Sequence, residues 1–385
     1  MADASSSQHN AFKHDLIRDV AYETLSRADR RQLHSRVVDW IEVISGERVE
    51  EYLDLLAHHA VQANQPERAT DYLVRAAARA DRAAAHREEA ALLAQAIEIA
   101  ERTGRQQLIA ELRAKRGKAF RAIALWTEAE LELKTALAGL APEQHEQRFQ
   151  VLIDLAQVRY WLFDTPGTRQ YATDALRLAE QVGRDDLAAS AMGELAVANS
   201  SDGLVQASLD QYQRALVRAG KHLLLSLHWF EWYGLALYWT GNYEAAIERC
   251  RQALESAWKS HDTTNIAGAL GSLGMALTGR GRYDEALQVF TEARQFAREY
   301  GTGTWLARAI AMCGGLHLEL FDYAGAEALA EEAREISRSL NWPQADASGG
   351  IDLLFNYARR QEVGRTESLL TGIEEAVAGT KGAHG

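Results

Sequence analysis

The chain has 385 residues, of which 47% are apolar and 25% charged, with a formal net charge of −12 at pH 7. That balance excludes a basic footprint for nucleic acid over the protein as a whole, and it excludes attraction to an anionic membrane surface. The two cysteines, Cys250 and Cys313, are too few for a disulfide framework and fit a reducing cytoplasm, the expected location. No apolar run approaches the roughly 20 residues that span a bilayer. Four prolines in the whole chain, with abundant alanine and leucine, favour an almost entirely helical chain.

In chain order, residues 1–10 are polar and serine-rich, without the apolar core of a signal peptide, and are expected to be a disordered leader. The apolar positions Leu16, Ile17, Val20, Leu25, Leu33, Val37, Val38 and Ile41 predict two short amphipathic helices over 12–42, within a helical segment covering 11–50. Lys13, Arg18, Arg27, Arg30, Arg31 and Arg36 in this piece are interleaved with Asp15, Asp19, Glu23 and Asp29, which leaves a local net of +2 (6 − 4). Such a balance reads as a solvated face. Further on, Pro66 suits the first turn of a helix, where its missing N–H goes unnoticed. Residues 83–102 predict a further helix, closed by Gly104.

From there one pattern recurs. Its clearest copies begin at Tyr233-Gly234, Leu273-Gly274 and Cys313-Gly314, a period of 40 residues (274 − 234, 314 − 274). Each copy has a turn (Gly241-Asn242-Tyr243, Gly281-Arg282-Tyr283, Phe321-Asp322-Tyr323), then a small residue (Ala246, Ala286, Ala326), and closes on Ala253, Ala293 or Ala333. Reading backwards, the closing alanine returns at Ala215, Ala175, Ala136 and Ala96. The first small position falls at Ala196, Ala156, Gly117 and Ala77. Three small positions held in register over seven copies mark a stacked helical array, because helices that cross closely need small side chains where their backbones meet. After Ala333, Asn341-Trp342-Pro343 is a break. A last helical pair over 345–360 and 366–378 forms a cap over 341–378, and 379–385 reads as a flexible tail.

The repeated pattern resembles a tetratricopeptide repeat. The period exceeds the usual 34 or so residues, so each helix is expected to be a little longer. A second resemblance lies upstream, in Phe12, His14, Leu16, Ile17, Arg18, Asp19, Val20, Ala21, Tyr22, Leu25, Arg31, Leu33 and His34. These look like the final helices of the winged-helix segment in STAND-type signalling ATPases, the group that includes LuxR-type regulators and cyclase-linked ATPases. Together the resemblances imply an all-α, TPR-like α-solenoid, a right-handed superhelix of eight or nine helical pairs with its repeats over 51–340. They imply a sensor portion without its ATPase, since no G-x-x-x-x-G-K-[ST] phosphate loop occurs.

The chain is therefore expected to be a non-enzymatic scaffold or sensor of a bacterial-type signalling or transcription-regulatory system. Its expected partner is a protein, a peptide or a small-molecule effector, with no nucleic acid and no membrane. No cofactor is implied. No metal site is expected, as adjacent His58 and His59 point about 100° apart on a helix. Cys250 and Cys313 fall on core positions and read as inert thiols.

By the tetratricopeptide resemblance the concave groove is lined from the first helix of each copy. That implies Lys118 and Arg121, then Gln157, Tyr160 and Trp161, then His228, Glu231, Tyr238 and Trp239, and finally Arg308 and Glu319. Two copies thus place a Tyr-Trp pair at equivalent positions. The other role for such aromatics is to fill the interior of a tight superhelix, and Trp229, Trp232 and Tyr233 are read as core. Two alternatives stand beside groove binding: a self-assembling, homo-oligomeric array, and a regulatory subunit acting in trans with a separate ATPase or nucleotide cyclase.

Overall fold

The computed structural model describes residue 20, residues 22–220 and residues 229–382. Among these, eighteen α-helices of ten residues or more follow one another, and no strand occurs. They are α1 (Arg27–Ser45), α2 (Leu53–Gln62), α3 (Pro66–Arg82), α4 (His86–Arg102), α5 (Gln106–Ala122), α6 (Trp126–Gly139), α7 (His145–Trp161), α8 (Thr165–Gln181) and α9 (Asp185–Ser201). The series continues with α10 (Val205–Ala219), α11 (Phe230–Trp239), α12 (Tyr243–Ser260), α13 (Thr263–Gly279), α14 (Tyr283–Glu299), α15 (Gly303–Glu319), α16 (Tyr323–Ser339), α17 (Pro343–Arg359) and α18 (Val363–Gly382). No helix of the described residues is long and apolar enough to cross a membrane. The chain divides into two compact units, Met1–Arg79 with Ala91–Arg105, and Ala80–Ala90 with Gln106–Gly385.

In the first unit α1 starts where the Ser26 hydroxyl accepts a hydrogen bond from the Asp29 amide, an N-cap. It runs to Ser45, three residues past the expected end at Glu42. The expected leader, and the part of the 12–42 segment before residue 20, lie outside the described residues. Val38 and Ile41 of α1 are buried, as are Leu53, Leu56, Ala57 and Ala60 of α2. Arg68 reaches back to Asp39 (2.7 Å) and Glu42 (2.6 Å), and Arg79 to Asp54 (2.7 Å). These pairs are partly exposed and set register more than stability, at up to about 1 kcal/mol each. His59 turns toward α1, its Nδ1 2.7 Å from Nδ1 of His34. Burial, and then the neighbouring histidine rings, hold both below the usual histidine range. On the other side of α1, Leu33, Trp40, Val43 and Ile44 are exposed.

The second unit is built on a step of twenty. Helices α5, α7, α8, α9 and α13 to α17 are each 17 residues long. Most turns contain one residue of positive φ, and from Gly241 these fall at His261, Gly281, Gly301, Phe321, Asn341 and Gln361. Two such helices and two three-residue turns give the 40-residue period. Turns at Ala84 and Asn341 move two expected boundaries: α4 begins at His86 instead of 83, and α17 begins at Pro343 instead of 345. Helix α18 continues to Gly382, so the first four residues of the expected tail are helical. Residues 383–385 lie outside the described set.

The small positions do what the pattern requires. A Cβ added at Gly117 would lie 2.7 Å from Cγ of Leu133, and one at Gly274 would lie 2.6 Å from the ring of Phe290, which is fully buried. At Gly234 it would meet Sγ of Cys250. At Gly314 the nearest atoms are 3.6 Å away, an ordinary contact. Gly274→Ala should therefore cost about 1–3 kcal/mol through overpacking. Gly314→Ala should be neutral or gain up to about 1 kcal/mol from helix propensity. Urea denaturation of the two variants checks the contrast, and equal effects would contradict it. Both cysteines are buried and free, and burial pushes both thiols up.

The array in this unit curls tightly enough to touch itself. Trp342 at the start of α17 donates its indole N–H to the carbonyl oxygen of Trp161 at the end of α7 (2.9 Å), across 181 residues of sequence. Arg308 on α15 donates to the hydroxyl oxygen of Tyr160 (3.3 Å), across 148 residues.

Candidate functional site

That closure places a block of aromatic side chains in the interior of the second unit. Trp161 stacks on Trp126 (centroids 5.7 Å) and meets Trp305 and Trp342 edge-on at 5.2 and 5.4 Å. Tyr160 packs edge-on against Trp232 at 4.7 Å. The Arg308 guanidinium lies 4.4 Å from the ring centre of Trp232 and 5.3 and 5.4 Å from those of Trp305 and Trp161. Such cation–π contacts stabilise a cation away from water.

Two cavities lie in this unit, the second of them lined by this block. One, of about 700 Å³, is polar and is lined by Asp81, His86, Glu89, Lys118, Arg121, Asp154, Gln157 and the turn at 260–265. The other, of about 680 Å³, is more apolar and is lined from α7, α9, α11, α13, α15 and α17. Its walls include Tyr160, Trp161, Trp232, Trp239, Met275, Arg308, Met312, Gly315, Trp342 and Asp352.

Burial sets the protonation chemistry of both. Glu231 is 3% exposed on α11, and its Oε2 has no hydrogen-bond partner. Burial pushes its carboxyl up to about 8, against the pull of Arg308. It is therefore largely neutral at pH 7. Burial likewise raises Asp154, in spite of Arg121 (3.4 Å) and Lys118. Asp352 is pushed up to about 6 by burial alone.

The expected groove residues are dispersed by this geometry. Tyr160, Trp161, Trp239 and Arg308 come together around the apolar cavity. Lys118, Arg121 and Gln157 line the polar one, where Gln157 donates to Glu194 (2.8 Å). Glu231 is not a lining residue: it packs under the wall, its Oε2 where a Cβ on Gly268 would sit. Tyr238 packs against Tyr243, and Glu319 is an exposed partner of Arg359 at 3.4 Å. His228 lies outside the described residues. Trp229 and Tyr233 are buried as expected, whereas Trp232 lines the cavity.

Sequence reasoning missed Trp305, Trp342 and Asp352. Trp305 was within reach, since it lies one helical turn before Arg308 and shares its face. A cluster that the motifs did not reveal joins Asp81, His86 and Glu89, whose ligand-capable atoms lie within 4.8 Å of one another. His86 Nδ1 and Glu89 are hydrogen-bonded at 3.0 Å, and Lys118 Nζ is 3.8 Å from Asp81, so these groups satisfy one another.

A family model for tetratricopeptide repeats matches residues 224–299 and 265–339. No curated protein matches the sequence. Among solved structures, the chain is similar to a Rap protein complexed with competence and sporulation factor, at 14% identity and a TM-score of 0.62, over 92% of this chain and 98% of that one. It is similar to the Rap conjugation gene regulator of the plasmid pLS20, in complex with the Phr* peptide, at 14% identity and a TM-score of 0.60, over 74% and 76% of the two chains. A STAND protein with a tetratricopeptide repeat sensor from Pyrococcus horikoshii is matched at 15% identity and a TM-score of 0.48, over 94% of this chain and 54% of that one. At these identities the likeness to the two Rap proteins is one of fold.

Proposed function

We propose that this chain, which carries tetratricopeptide repeats over residues 224–339, is a non-catalytic sensor module of a signalling or regulatory system that takes an effector into its apolar cavity. The observation that carries this reading is the cavity itself. Its size falls within the roughly 300–1,000 Å³ of small-ligand sites, with aromatic walls and few polar groups, as such sites have. Similarity of fold to a Rap regulator in complex with the Phr* peptide supports a peptide as the effector. The cavity is lined by both Trp161 and Trp342, so an occupant would bear on the contact by which the array closes on itself. It shifts the array between two curvatures only to the extent that it binds them with different affinity.

Gly315→Trp tests the reading. A Cβ there meets nothing within 4 Å, and the position faces the cavity, so the indole fills the space without disturbing the fold. The variant should show wild-type helicity and melting but lose whatever peptide or metabolite the wild type retains from host extract, as read by mass spectrometry. Equal retention by both proteins would overturn the assignment.

A second reading concerns α1, where Leu33, Trp40, Val43 and Ile44 present an exposed apolar stripe. Contiguous exposed apolar surface marks protein contacts, and this stripe supports docking to an ATPase or cyclase domain acting in trans. Trp40→Glu should abolish co-purification of such a partner and leave effector retention intact.

A further inference from the structure

We infer that the effector is a short apolar peptide gripped by its two ends, its free carboxylate on Arg308 and its free amino group on Asp352, an inference that rests on the cavity being the effector site.

Arg308 has the means to take a carboxylate. Its guanidinium carbon lies 4.4 Å from the ring centre of Trp232 and 5.3 and 5.4 Å from those of Trp305 and Trp161. It makes a single hydrogen bond, to Tyr160 at 3.3 Å, and its Nε is buried and unbonded. No carboxylate of the described residues lies within ion-pair distance of it. The buried acid that acts on it, Glu231, is held in its neutral form and does not compensate the charge. A carboxylate matches the fork in two parallel hydrogen bonds, and a guanidinium packed among three indoles is already ordered for it.

Asp352 is the complementary group on α17. It lines the same cavity, is strongly desolvated, and has neither hydrogen bond nor ion pair among the described residues. A partly buried charge without a partner carries a desolvation cost, and an ammonium group from the ligand offsets it. Arg308 and Asp352 do not pair with each other, so the cavity holds two separated charges of opposite sign. The same lining holds Met275, Met312 and the indoles of Trp232 and Trp342, an apolar surface for side chains. A zwitterion with an apolar body fits that arrangement, and about 680 Å³ limits it to a few residues.

The test uses the full chain and an equimolar library of tripeptides made from leucine, phenylalanine, methionine and tryptophan. The library is prepared with both ends free, with amidated carboxyl ends, or with acetylated amino ends. Peptides retained through gel filtration are counted by mass spectrometry. Retention of free-ended peptides is expected, cut at least tenfold by either cap. Arg308→Gln should erase the preference for acid over amide, and Asp352→Asn the preference for amine over acetyl. The cap comparison on the wild type stands even if a variant fails to fold. Equal retention of capped and free peptides, or no retention of any, overturns the end-anchored peptide. Retention that is indifferent to the caps yet lost in Gly315→Trp leaves the cavity reading in place. Retention unchanged by Gly315→Trp removes both.

Discussion

Glu231→Gln should stabilise the protein at pH 8 and leave its stability at pH 4 unchanged. The wild-type carboxyl is buried, with Oε2 pressed against Gly268 and without a hydrogen-bond partner. Burial raises it from 4.5 to about 8, with Asp262 and Glu194 adding to the rise and Arg308 opposing it. The sign follows from proton counts. Between those values the folded chain holds a proton that the unfolded chain has released, so stability falls as pH rises. The contribution is fully present below 4.5 and is lost as pH climbs to about 8. At about 1.4 kcal/mol per unit of difference, the loss is on the order of a few kcal/mol. Glutamine keeps the shape and removes the titration, so the stability curve of the variant should be flatter across this window. A residual slope up to about pH 6 remains from Asp352, raised in the same direction. Urea denaturation at intervals between pH 4 and 8.5 measures it, and parallel curves for the two proteins would contradict the burial argument.

The second large effect separates two residues that the repeat pattern makes equivalent. Trp161 and Trp239 occupy the same position in their copies, but Trp161 is 8% exposed and Trp239 is 51% exposed. Trp161 packs against five other aromatic rings of the interior block and the Arg308 guanidinium. Trp161→Ala should cost about 3–5 kcal/mol, because those neighbours come from helices far apart in sequence and cannot all collapse into the space. Trp239→Ala should stay within about 0.5 kcal/mol, as surface substitutions do. Equal midpoints in urea for the two variants would show that the array does not close on Trp161.

That pair also shows how far the sequence could be read. Periodicity located the helices, and the small residues at Gly117, Gly234 and Gly274 located their crossings, because both are local properties of packed neighbours. The tetratricopeptide resemblance, by assigning inward positions to the first helix of each copy, named Tyr160, Trp161 and Arg308, which line the apolar cavity. The curvature was not legible. Nothing near Trp161 in sequence announces that Trp342 will reach it, since that contact depends on small rotations accumulated over five helical pairs. The differing placements of the expected groove residues follow from this. A wider groove would leave Glu231 at its surface, whereas the closed array buries it against Gly268. A wider groove would also keep Asp352, in the capping pair, away from the site it lines here. The shift of α4 and α17 by two or three residues has a different cause, the left-handed turns at Ala84 and Asn341, where side chains other than glycine give little warning of positive φ.

The central claim is that an effector sits inside the closed array, and amide hydrogen exchange of the full chain, with and without the retained effector, tests it most directly. Slowed exchange in α15, in α17 and in the last turns of α7 is the expected result, since these segments line the cavity and meet across it. Protection confined to the second helices of the repeats, α8, α10, α12 and α14, would place the effector on the opposite surface and contradict the claim.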